Sequence, residues 1–65
     1  EEIADIRQRL HELQVEHRDL DQVIAHLIEF PPNDDLLMRR LKKRKLALKD
    51  RILQLQQMLV PDIPA

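Results

Sequence analysis

The sequence predicts an all-α protein: an antiparallel two-helix hairpin of coiled-coil type that assembles into a helical bundle. Three observations lead there. Apolar residues recur in alternating steps of three and four along two long stretches, as a heptad seam requires. The break Phe30-Pro31-Pro32 separates the stretches. Folded back at that break, the two seams match each other residue for residue.

Helix 1 is predicted over about residues 2–29. Its seam is Ile3, Ile6, Leu10, Leu13, His17, Leu20, Ile24 and Leu27, with His17 as the polar member. Alternation with a period of two, the mark of a half-buried strand, is nowhere sustained. The helix should stop at the prolines, because a residue before proline is pushed out of the α region and proline cannot continue the hydrogen-bond ladder. The turn is placed at 30–33.

Helix 2 is predicted over about 34–60, with Asn33 as its N-cap and Asp34 and Asp35 in the first turn, where negative charge suits the helix dipole. Its seam is Met38, Leu41, Lys45, Leu48, Ile52, Leu55 and Leu59. Pro61 ends it, and 61–65 form a short tail. Residues equidistant from the turn have numbers with a constant sum, and the pairs Leu27 with Met38, Ile24 with Leu41, Leu20 with Lys45, His17 with Leu48, Leu13 with Ile52, Leu10 with Leu55 and Ile6 with Leu59 all sum to 65. Nothing in the first seam forces the second to obey this, so the agreement argues independently for the hairpin.

Charge supports the same pairing. Residues 1–29 carry eight acids and three arginines, a balance of −5, and residues 30–65 carry four acids and eight bases, a balance of +4. Glu16 with Arg51 and Asp21 with Lys42 are the flanking pairs this suggests. Exposed pairs contribute only about 0–1 kcal/mol each, so they select alignment more than they stabilise.

Composition excludes several functions. With no cysteine, disulfides, thiolate metal sites and thiol nucleophiles are absent, and a reducing compartment fits. With no glycine there is no phosphate-cradling loop. The sequence contains neither serine nor threonine, so no hydroxyl nucleophile of that kind is available. His11, His17 and His26 are not spaced to share a helix face, so no metal site is expected. No apolar run approaches the ~20 residues that cross a bilayer. Two helices also enclose no cavity for a small molecule. The sequence therefore points to a non-enzyme without cofactor or metal.

Interaction features remain. Leu46, Leu53 and Val60 repeat at intervals of seven on helix 2 but off its seam, and a lone hairpin would leave them in water. They are the candidates for self-association into a homo-oligomer, or for contact with another helical protein surface. Arg39, Arg40, Lys42, Lys43, Arg44, Lys49 and Arg51, with Lys45, form a basic run that offers nucleic-acid backbone binding as the alternative function. On the heptad these cations surround helix 2 instead of forming one stripe. His17 and Lys45, the polar seam members, are candidates for setting register.

Particular strings resemble a known family. These are His17-Arg18-Asp19-Leu20-Asp21 with Ile24 and Leu27, then Pro32, Asp34-Asp35-Leu36, and above all the run from Arg40 to Ile52, RLKKRKLALKDRI. Across roughly residues 17–60 the chain is similar to the YdcH-like family of small bacterial proteins. That resemblance implies a helical hairpin in the bacterial cytoplasm, in a family without an assigned biochemical activity, and it transfers no catalytic or binding residue.

Overall fold

The computed structural model describes residues 2–59; Val60 and the expected tail at 61–65 lie outside the described residues. Two helices make up the fold, α1 (Glu2–Glu29) and α2 (Asp35–Leu59), packed along each other as a hairpin. Both are rich in Leu, Gln and Arg, with Glu added in α1 and Lys in α2, residues that lose little side-chain freedom in a helix, and neither contains glycine or proline. Glu2 and Asp5 place negative charge in the first turn of α1.

The connection is tight. Phe30 N–H still donates to His26 C=O at 2.9 Å, and its ring packs on the His26 imidazole with centroids 5.0 Å apart. Pro31, which has no N–H, then ends the ladder. The turn is made without glycine and without any described residue at positive φ. The cap of α2 differs from expectation: Asp34, not Asn33, fills it, with Leu36 N–H donating to Asp34 Oδ1 at 2.9 Å. Reversing the chain after Pro32 takes one residue more than the sequence suggested. Asp34 caps as well as asparagine does and adds a full charge at the positive end of the dipole.

The seam is where the sequence placed it. Leu13, Ile24, Leu48, Ile52 and Leu55 are buried. Ile6, Leu10, His17, Leu20, Leu27, Met38, Leu41, Lys45 and Leu59 are half-buried. Leu13 lies in one cluster with Leu48, Ile52 and Leu55, against which Ile6, Leu10 and Leu20 pack. Ile24 is buried apart from that cluster, towards the turn. Ile3 departs from the seam and is 60% exposed. Its counterpart under the register would be residue 62, beyond the described end of α2, and Leu59 already lies opposite Ile6.

The result is a rod one helix pair wide, 48 × 27 × 16 Å, with a radius of gyration of 15.2 Å. A compact chain of this length would have a radius near 11 Å. A compact 7.8 kDa protein would expose about 4,400 Å², whereas this one exposes 5689 Å².

Candidate interaction surfaces

Two ion pairs between the helices fix which side is which. Arg44 Nη2 meets Glu16 Oε1 at 3.1 Å, and Lys45 Nζ contacts Asp21 Oδ1. Glu16 and Asp21 are five residues apart; at ~100° per residue they lie on opposite flanks of the α1 seam. Each pair therefore marks one long flank of the hairpin. With seam positions lettered a and d, the Glu16–Arg44 flank carries the c and g positions of both helices, and the Asp21–Lys45 flank carries b and e.

These pairs replace those suggested by sequence. Arg51 does not reach Glu16; its Nη1 donates to Gln54 Oε1 of its own helix at 3.1 Å. Lys42 does not reach Asp21, because Lys45 takes that carboxylate from within the seam. The Lys45 side chain is 36% exposed, so its stem lies along the seam while the ammonium reaches the edge. Asp21 is held below its ordinary carboxyl value of 3.8, chiefly by its hydrogen bond with Lys45, with the charges of Lys45 and His17 acting in the same direction and partial desolvation opposing. His17 and Lys45 are the half-buried polar members of the seam and fall in adjacent layers, opposite Leu48 and Leu20 under the register.

The two flanks differ in charge. On the b/e flank stand Arg7 and Arg18 of α1 and Arg39, Lys42 and Lys49 of α2, all exposed, and among the described residues none makes an ion pair. Asp21 and Asp35 are the acids among the described b and e positions; Lys45 occupies the first, and the second stands in the first turn of α2. Leu46, 68% exposed, and Leu53, 44% exposed, stand in the middle of these cations; Val60 lies outside the described residues. The bases do encircle α2, as the heptad implied. Folding adds Arg7 and Arg18 to one side, and this makes a basic face that α2 alone does not have.

The c/g flank is mixed. Its α1 half carries Glu2, Asp5, Glu12, Glu16 and Asp19 with Arg9, which pairs with Glu12 at 3.3 Å. Its α2 half carries Arg40, Arg44 and Arg51. Val23, Leu37 and Met58 are exposed on this flank, and Phe30, stacked on His26 at a c position, continues it at the turn. Sequence reasoning missed this flank because its charges belong to different helices. Lys43, at an f position, points away from both flanks.

Among the described residues no three His, Asp or Glu side chains gather as a metal site would need, and no helix is long and apolar enough to cross a membrane. Fold and surface together define a small helical hairpin whose chemistry lies on its outer faces. The profile of a family described as protein of unknown function (DUF465) matches residues 10–56, which span both halves of the seam and the whole basic segment. The chain belongs to this family, the YdcH-like proteins. No curated protein and no solved structure matches it.

Proposed function

We propose that this protein is a non-enzymatic interaction module of the bacterial cytoplasm that acts as a self-associated helical assembly. One observation carries the reading. Val15, Val23, Ile28, Leu36, Leu37, Leu46, Leu53 and Met58 all stay exposed, while the buried core amounts to Leu13, Ile24, Leu48, Ile52 and Leu55. A single core in a chain of this size supplies little stability, and association is one of the usual ways to add more. Covering part of this apolar surface with a further pair of helices would supply it. Sedimentation equilibrium tests the reading: mass should rise above that of the monomer at micromolar concentration. A well-folded monomer across the whole concentration range would overturn it.

A second reading is favoured by the five cations Arg7, Arg18, Arg39, Lys42 and Lys49 collected on the b/e flank. Such a face suits a phosphate backbone, and the segment 39–51 supplies most of it. Titrating mixed-sequence duplex DNA and RNA at rising salt tests this. Affinity should fall steeply, and absence of binding at low salt would remove the reading.

A further inference from the structure

We infer that a second copy of this chain docks on the Glu16–Arg44 flank, about a two-fold axis running along the helices, closing a four-helix bundle with both turns at one end. The inference rests on the self-association proposed above and adds the face and the arrangement.

Charge selects the face. Two copies meeting through the b/e flank would set Arg7, Arg18, Arg39, Lys42 and Lys49 against their own counterparts, with only two described acids among them: Asp21, already held by Lys45, and Asp35 in the first turn of α2. Like charges in a contact are repelled, whichever way the copies are turned. The c/g flank is different because its two halves have opposite sign: acids on α1, arginines on α2.

Charge also selects the arrangement. Two hairpins packed face to face through one flank can be related by a two-fold axis lying in the contact plane in two ways. An axis across the helices stacks α1 on α1 of the other copy, acid on acid. An axis along the helices stacks α1 on α2 of the other copy. Glu12, Glu16 and Asp19 then stand level with residues 53, 49 and 46 of the other copy, close to Arg51 and Arg44 with Arg40 nearer the turn, and every neighbouring pair around the ring is antiparallel and opposite in sign, as within the hairpin itself. That same arrangement gathers Val23, Phe30 and Leu37 of both copies at the turn end, where they are now exposed.

The area suffices. A stable interface of standard size takes about 800 Å² from each partner. The surplus of this surface over a compact monomer is roughly 1,300 Å². Leu46 and Leu53 remain outside such a bundle, on the basic face.

The chain lacks cysteine, so Asn33→Cys gives a single labelling site in the turn. Spin labels there should lie within about 25 Å of each other in the assembled protein, the width of a bundle. A separation of about 40 Å, one helix length, would overturn the arrangement. The face is tested by Arg40→Glu with Arg51→Glu, and separately by Glu12→Arg with Asp19→Arg, each confirmed as folded by circular dichroism. Each double variant should self-associate at least about tenfold more weakly, and an equimolar mixture of the two should recover association. Leu53→Glu should sediment as the wild type does. If Leu53→Glu dissociates the protein while the arginine variant does not, the face is wrong and self-association still stands. A monomeric wild type would defeat both.

Discussion

Lys45 is the residue on which the centre of the molecule turns. It occupies a seam position where leucine would pack against Leu20, and it reaches Asp21 at the edge. Exposed ion pairs contribute about 0–1 kcal/mol, less than a well-buried leucine would. Lys45→Leu should therefore raise the melting temperature and weaken the register, seen as higher Tm together with poorer amide dispersion in NMR. The Asp21 carboxyl is held below its ordinary value, so its contribution is complete above the unfolded value of 3.8 and is lost as pH falls towards the lower folded value. Thermal melts of wild type and Asp21→Asn should differ near neutrality and converge only as pH falls below the lowered folded value, where both side chains are uncharged. At the other end of the scale of exposure, Asp34→Ala removes the acceptor of Leu36 N–H and should cost about 1 kcal/mol in chemical denaturation.

At the level of the helices, stability is concentrated in a narrow stripe. Leu48 is the most buried residue of the core and sits in the cluster with Leu13, Ile52 and Leu55. Leu48→Ala should cost about 2–5 kcal/mol, enough to unfold much of a domain this thin. Leu46→Ala, two residues away and in solvent, should change the monomer's stability by no more than about 0.5 kcal/mol. Urea melts of the two variants side by side measure this contrast. The elements themselves were legible in the sequence because their causes are local. The three-four spacing that buries one helix stripe, and the prolines that end α1, act over a few residues. Ile3 escaped because its burial depends on how far the partner helix reaches, and Asn33 lost the cap to Asp34 because the turn needed one more residue.

For the whole molecule, shape and charge act together. A rod of two helices exposes more surface than a compact protein of its mass, and in the proposed assembly the mixed c/g flank is the part that a second copy covers. If the assembly forms as proposed, mass action makes the apparent melting temperature climb with protein concentration. The slope should shrink as salt screens the contacts between acids and arginines, since the Debye length falls from about 10 Å at 0.1 M to about 3 Å at 1 M. Melts at several concentrations in low and high salt measure both effects. The basic flank should respond to salt in the same sense when offered a polyanion, but through binding and not through melting.

By itself the sequence determined the hairpin: two matching seams, a proline break and a register that could be read from residue numbers. It did not determine what the faces carry. Arg7 and Arg18 stand 24 to 42 positions from Lys42 and Lys49, and only the side-by-side packing of α1 and α2 puts them on one flank. The partner of Glu16 was decided in the same way, between Arg44 and Arg51, by side chains competing in space. Periodicity fixes which stripe of a helix is buried; the sign of a face depends on which flanks two helices share, and that is settled when they pack.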